Sequence, residues 1–478
     1  MAVLSAVSTI AFLSTPSVIE DISWVKKMVG MTLLCFLFWT GFTRNDRKGS
    51  LFDPVILFSI SYIIVFFQIP LLVSEGVPVA KRYCPFNELI NIGASLAFMG
   101  YSFFCLGYFC FKRIAVNSYS FERKGTKKSP CLSGTAPESV NILLTLSVVV
   151  YLLFLSSVGT EVLSGFIYAG TSNWEGYATY FFAFLEVSRN LLFSICGLKA
   201  SKRKPHTLIE YFRKYDNRVL LLFVVSTLPF LLIGDRGAIL LPLLFFIAPY
   251  FVLRKRLRAR IALLFLVVAV IASVFLGSMR TRESNDTWGV KFKRGYASVV
   301  EAATSHDKFP TYELAKSYRI FNVALDIVPK EENYGRGRYS WGSMVGMIPF
   351  YDRFFGHYGL ALNSSRVFTN YFYGYADNVG TGSCLLGAIF LDFGALGIPL
   401  IMLVVGATAG LVASLNFTSV RNGVWFHFIY CYSFFYFLRL PRSAPFGWTQ
   451  LVVWGLGLFI IIRYLEDRQK DSYLQVKQ

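Results

Sequence analysis

Apolar runs long enough to cross a bilayer recur along this 478-residue chain, separated by short basic loops and by one long polar stretch, Thr281 to Thr381. A span needs about 20 mainly apolar residues to cross the hydrocarbon, and there its backbone must satisfy its own polar groups, which a helix does. Such runs fall near Val29 to Thr43, Phe52 to Val73, Leu89 to Phe111, Val140 to Val158, Tyr177 to Leu198, Leu220 to Ile233, Ile239 to Leu253, Ile261 to Leu276, Cys384 to Leu415, Val424 to Leu440 and Leu451 to Ile462. They predict an all-α, polytopic integral membrane protein with about 11 (10–12) transmembrane helices. Residues 1–478 then form a single polytopic membrane domain, with 281–381 a large extracytoplasmic loop within it. The first twenty residues are apolar in patches, broken by Pro16, and lack a charged n-region, so they predict no signal peptide and at most a twelfth span. Composition agrees, since 55% hydrophobic residues, 17% aromatic residues and a mean hydropathy of +0.51 exceed what a soluble domain carries.

The net charge of +19 could suggest a nucleic-acid partner, but the cations fall mostly in short loops between apolar runs, where membrane orientation explains them. No nucleic acid is expected. The basic loops carry Arg44, Arg47 and Lys48; Arg113, Arg123, Lys124, Lys127 and Lys128; Lys202, Arg203, Lys204, Arg213 and Lys214; and Arg254, Lys255, Arg256, Arg258 and Arg260. They alternate across the spans and are assigned to the cytoplasm. The loops between them, including Thr160 to Gly176 with no Lys or Arg, then face outward, as does the long loop. Long loops cross largely regardless of charge, so the arginines kept there call for another reason. Of the eight cysteines, Cys84 and Cys131 fall in loops predicted to face opposite sides and the rest mostly in apolar runs, so no disulfide framework follows.

The chain has no GxxxxGK[ST] phosphate loop, no Asp-x-Asp pair to hold a divalent metal on a nucleotide sugar, and no GxSxG elbow, so no metal or cofactor is implied. What remains is a set of outward cations. Arg236 sits with Asp235 in a tight Gly234 to Gly237 turn between two apolar runs, where a guanidinium can grip a phosphate through two donors. The competing reading is a mutual ion pair or a lipid-headgroup contact. Arg280 and Arg282 leave the span that opens the long loop, followed by Lys291, Lys293 and Arg294, which could equally anchor the membrane surface. Further on come Arg336 and Arg338 in YGRGRYSWGSM, then Asp352, Arg353 and His357 in PFYDRFFGHYG. Aromatic residues flank each charge there, a mixture that suits sugar rings. Inside the span Tyr177 to Leu198, Glu186 and Arg189 lie three residues apart on one helix face, as a packing ion pair or part of a site.

The segment DNVGTGSCLLGAIFLDFGALGIPLIMLVVGATAG reads as a Gly-rich turn, a Ser, a short helix, then Phe-Gly and a long small-residue span. It resembles the C-terminal signature of Wzy-type oligosaccharide repeat-unit polymerases, the O-antigen and capsule polymerases. Gly380, Thr381, Gly382, Ser383, Phe390, Phe393 and Gly394 match, Asp392 stands for the usual Asn, and Ala388 departs from a frequent carboxylate. Gly-Asp-Arg-Gly at Gly234 to Gly237 is similar to the family's Gly-x-Arg-Gly turn, and GRYSWGSMVGMIPF to the segment that precedes re-entry into the membrane. The resemblance implies a GT-C-like helical membrane fold acting on undecaprenyl-pyrophosphate-linked oligosaccharide at the periplasmic face of the bacterial inner membrane, with a chain-length regulator as a further partner.

A polyprenyl pyrophosphate is already a good leaving group and needs charge stabilisation, which arginines supply without metal. The acceptor is a sugar hydroxyl, so a base such as His357, Asp352 or Glu186 should take its proton in an inverting glycosyl transfer. Arg189, Arg236, Arg280, Arg282, Arg336, Arg338 and Arg353 are the expected pyrophosphate and sugar contacts. Gly406, Ala407, Ala409 and Gly410 either leave grooves for polyprenyl tails or serve ordinary helix packing. Two other functions share much of this pattern: a ligase that moves a finished glycan to lipid A or protein, and a glycan or lipid transporter, which would need a polar path through the membrane.

Overall fold

The computed structural model describes residues 1–16, 22–44, 54–122, 137–158, 177–233, 236–253, 267–268, 271–272, 274–278, 288–304, 311–331, 333–345, 348, 364–374, 381–415, 423–447 and 449–476. Its regular elements there are helices: α1 (Ala2–Leu13), α2 (Ile22–Arg44), α3 (Pro54–Ser74), α4 (Ile90–Glu122), α5 (Pro137–Val158), α6 (Ala178–Lys202), α7 (Leu208–Arg213), α8 (Asn217–Ile233), α9 (Arg236–Leu253), α10 (Trp288–Thr304), α11 (Tyr312–Ala315), α12 (Tyr318–Lys330), α13 (Arg338–Val345), α14 (Ser364–Tyr373), α15 (Leu385–Ser414), α16 (Gly423–Arg439) and α17 (Thr449–Val476). Short 3-10 turns separate some of them.

Among the described residues, five stretches are long and apolar enough to cross a membrane: Val55–Ser74, Asn87–Lys112, Ser139–Val158, Ala178–Lys202 and Leu385–Ser414. Shorter apolar helices cover Ala2–Leu13, Asn217–Leu231, Gly237–Phe251 and Thr449–Leu465. The chain is therefore a polytopic, all-helical membrane protein. Every expected run overlaps a described helix except Ile261 to Leu276, most of which lies outside the described residues. Pro70, Pro229, Pro242, Pro249 and Pro399 all lie inside helices, which membrane helices tolerate because neighbours satisfy the carbonyls they free.

The chain divides into two compact units: Met1–Lys127 with Thr311–Leu415 and Ser433–Gln450, and Lys128–Pro310 with Asn416–Tyr432 and Leu451–Gln478. In the first, α4 and α15 lie together, backbone against backbone. A Cβ on Gly406 would fall 2.0 Å from the Phe104 carbonyl oxygen, one on Gly410 2.6 Å from that of Tyr108, and one on Gly107 2.1 Å from that of Leu403. The small residues of α15 are thus filled by helix packing, the close approach expected where lipid supplies no hydrophobic drive between helices. Around this seam Phe58 and Phe104 pack at 4.2 Å between ring centroids, Tyr62 Oη donates to the Ala97 carbonyl at 2.8 Å, and Tyr101 Oη to Ser59 Oγ at 2.8 Å.

The stretch read as a polar outer loop contributes to that core. In α12, Ile320, Phe321, Val323, Ala324, Leu325 and Ile327 are buried, and Asn322 ties the helix to the segment before α4. Its carboxamide accepts from the Phe86 N–H and donates to the Phe86 carbonyl, both at 2.9 Å.

The second unit packs α5, α6, α8 and α9 around Val150, Tyr151, Phe154, Leu185, Phe230 and Ala238. Its basic connection is locally ordered: Thr207 Oγ1 caps α7 by accepting from the Glu210 N–H at 3.1 Å, and Glu210 Oε2 accepts from the His206 N–H at 2.7 Å.

Candidate active site

In the first unit, α15 is interrupted. Gly394 has φ +63° and ψ −155°, outside helical values and in a region essentially reserved for glycine. A helix broken there leaves carbonyls in the preceding turn without their usual donors. The loop carrying the paired arginines supplies replacements: the Gly335 N–H donates to the Leu391 carbonyl at 2.9 Å and the Arg336 N–H to the Asp392 carbonyl at 3.0 Å. Tyr334 closes over the break, its ring 3.0 to 3.2 Å from where a Cβ on Gly394 would stand.

The Asp392 side chain completes the attachment. Only 1% exposed, its carboxylate accepts the Tyr339 N–H at 2.9 Å and the Ser340 N–H through its other oxygen. Those donors lie in the first turn of α13, where backbone N–H groups have no helical partner and the helix dipole favours an anion. The turn between these anchors is tight, with Arg336 at φ +51° and Gly337 at φ +96°. Arg336 and Arg338 are both exposed, and the Arg338 guanidinium lies 5.8 Å from the Tyr339 ring centroid. Sequence motif and geometry thus meet: the Phe-Gly break carries the arginine loop.

The neighbouring Thr381-Gly382-Ser383 turn is docked by hydroxyls. Ser383 Oγ and Ser364 Oγ share a hydrogen bond of 2.7 Å, and the Thr381 N–H donates to Thr369 Oγ1 at 3.1 Å, both partners being on α14. Its matched residues therefore fix the entry into α15.

In the second unit, Glu186 is half-buried and Arg189 fully buried on α6. Arg189 Nη1 donates to the Ser226 carbonyl at 3.3 Å and to Ser226 Oγ at 3.2 Å, while Nε and Nη2 have no hydrogen-bond partner among the described residues. Those two atoms form the edge of the guanidinium that takes a carboxylate or phosphate bidentately. The same helix carries Ser188, bonded to Ser147 at 3.1 Å, Asn190, whose amide donates to the Tyr432 hydroxyl at 3.1 Å, and Ser194, 3.2 Å from His427 Nδ1. Cys431 Sγ lies 3.5 Å from His427 Nε2. Asn190, Ser194, Ser226, His427 and Tyr432 escaped the sequence reading, although polar residues at 186, 190 and 194 recur at helical spacing in an apolar span.

A cavity of about 210 Å³ in this unit is lined by Lys199, Arg203, Lys214, Asp216 and Arg218 among others. Its cations are partly spent on Arg218–Asp216 at 2.7 Å and Lys214–Glu210 at 2.6 Å, as suits an orientation-setting loop.

Arg280, Arg282, Asp352, Arg353 and His357 lie outside the described residues, and Arg236 opens α9 with its side chain also outside them. The structure therefore brings Arg336 and Arg338 together on one loop, and Glu186 and Arg189 on one helix of the other unit.

The family model for O-antigen polysaccharide polymerase Wzy matches residues 2–468, nearly the whole chain. The chain belongs to this family. No curated protein and no solved structure matches it. Membership in the Wzy family gives the chain its broad activity, O-antigen polysaccharide polymerisation at a membrane, a glycosyl transfer.

Proposed function

We propose that this polymerase joins undecaprenyl-pyrophosphate-linked oligosaccharide repeat units into O-antigen or capsular polysaccharide by metal-independent, inverting glycosyl transfer at the periplasmic face of the bacterial inner membrane. The fold would be GT-C-like with about 11 spans forming one polytopic domain, the long 281–381 segment would face the periplasm, and a chain-length regulator would be a further partner. The observation that carries the reading is a pair of exposed arginines, Arg336 and Arg338, held on a helix break by bonded backbone. Exposed guanidiniums on a fixed loop suit a doubly charged leaving group.

In the reaction, the acceptor hydroxyl oxygen bonds to the donor's anomeric carbon from the face opposite the pyrophosphate. The carbon–oxygen bond to the pyrophosphate breaks, the leaving lipid pyrophosphate keeps the electron pair, and the hydroxyl proton passes to a protein base. Arg336 and Arg338, with Arg189, Arg236, Arg280, Arg282 and Arg353, would stabilise the phosphate charge, and His357, Asp352 or Glu186 would take the proton. Among the described residues, the buried polar face of α6 favours the transporter reading.

Purified protein in detergent, with a chelator and no nucleotide, should convert lipid-pyrophosphate-linked repeat units into a ladder still attached to the lipid. Transfer only after lipid A is added would make the chain a ligase, and inert substrate in both cases would bring the transporter forward.

A further inference from the structure

We infer that Asp392 is a positioning residue for the polymerase: its buried carboxylate holds the loop that aims Arg336 and Arg338, without touching substrate. This rests on the functional reading above. Four backbone donors, from Gly335, Arg336, Tyr339 and Ser340, flank Gly337, and all four end on Leu391 or Asp392. The first two use carbonyls that the Gly394 break makes available, and the last two need the Asp392 side chain.

The side chain is suited to that task in a way the backbone alone is not. The two oxygens of a carboxylate accept separately, and here each takes one N–H of the first turn of α13. Without them, Tyr339 and Ser340 would keep only the orphan donors of a helix start, and the segment after Gly337 would be tethered on one side alone. The left-handed backbone at Arg336 is a conformation an arginine leaves readily once released. Both guanidiniums would then lose their fixed origin. An asparagine at this position keeps one acceptor and turns an amide N–H₂ toward the other donor, so it should hold half the clamp.

Gly335 offers an independent way to disturb the same contact. A Cβ there would stand 2.5 Å from Asp392 Oδ1 and 2.8 Å from the Tyr339 ring, so Gly335→Ala displaces the carboxylate without removing its charge.

The test uses the full chain in nanodiscs, with gel filtration confirming folded protein. Two quantities are followed in Asp392→Ala, Asp392→Asn and Gly335→Ala: trypsin cleavage after Arg336 and Arg338, mapped by mass spectrometry against cleavage elsewhere, and kcat and KM for ladder formation. Asp392→Ala should speed cleavage at these two bonds severalfold and lower kcat/KM by up to about tenfold, no more than deleting the two guanidiniums that it aims. Asp392→Asn should fall between Ala and wild type in both. If Asp392→Ala does not fold, the other two variants decide. Unchanged cleavage would overturn the clamp. Faster cleavage with unchanged elongation would overturn the positioning role while leaving the polymerase intact, whereas a wild-type protein that forms no ladder would remove the functional reading and the role that rests on it.

Discussion

Arg336 and Arg338 in the first unit and Arg189 in the second are prepared for an anion in opposite ways. The loop arginines are exposed, and their order comes from backbone bonds to Leu391 and Asp392. Arg189 is fully buried, bonded through Nη1 to Ser226, and its Nε and Nη2 edge has no hydrogen-bond partner among the described residues. An exposed cation keeps its hydration and costs little to hold, but its pull on a phosphate is weakened by water and salt. A buried one acts in a low dielectric, at the expense of a desolvated charge that the fold must tolerate. The contrast teaches that exposure alone does not rank arginines as functional: loop geometry prepares one kind, unfilled donors the other.

The sharpest break of the comparison is at Arg189. Each unsatisfied buried donor costs about 1–3 kcal/mol. Replacing Arg189 with Met and Glu186 with Gln removes both charges of this helix face together, so no lone charge is left behind. The double variant should raise the midpoint of thermal unfolding and lower ladder formation by about a hundredfold or more. A lower midpoint would make the two residues a structural pair and leave the loop as the prepared cation site among the described residues.

Gly394→Ala comes next. The φ of +63° with ψ −155° should cost about 1–3 kcal/mol for any residue with a Cβ, before the contact with Tyr334 is counted. Unfolding should shift downward by that order, and ladder formation should fall with it because the break carries the loop. A variant as stable as wild type would mean that α15 closes into one continuous helix at little cost.

Arg336→Ala with Arg338→Ala should leave the unfolding midpoint nearly unchanged, within about 0.5 kcal/mol, because both side chains are exposed. Elongation should slow by about tenfold, a smaller loss than a buried donor gives. The wild-type KM should rise with salt, screened over about 10 Å at 0.1 M, and the double variant should respond less. An equal salt response in both would place phosphate binding elsewhere.

The five long apolar helices were legible because apolar runs report a non-aqueous environment locally, and the α6 charges were legible because Glu186 and Arg189 interrupt such a run. The burial of α12 was not, because Tyr318 to Lys330 mixes polar and apolar residues at helical spacing inside a stretch that reads as polar overall. Nor was the purpose of Asp392. As a residue it stood only where the family pattern has Asn, and its bonds to Tyr339 and Ser340 join positions more than fifty apart in the chain. A hydrogen bond of that reach leaves no periodicity. Asn190 and Ser194 were overlooked for a gentler reason: small polar side chains barely disturb the hydropathy of a span, although at spacings of four and eight from Glu186 they share its face.

The smallest effect isolates the backbone of the loop from its charge. Arg336→Gly and Arg336→Ala both delete the guanidinium, so any difference between them belongs to the φ of +51°. A non-glycine residue pays about 1–2 kcal/mol in the left-handed region. Glycine removes that strain but loses about 0.5–1 kcal/mol through its more disordered unfolded chain. Arg336→Gly should therefore be more stable than Arg336→Ala by less than about 1 kcal/mol in thermal or denaturant unfolding. The sign matters more than the size. If the alanine variant were the more stable, the turn would have relaxed to ordinary backbone once the arginine was gone, and the guanidinium itself, through what it binds, would be holding the loop that the Leu391 and Asp392 bonds are argued to hold.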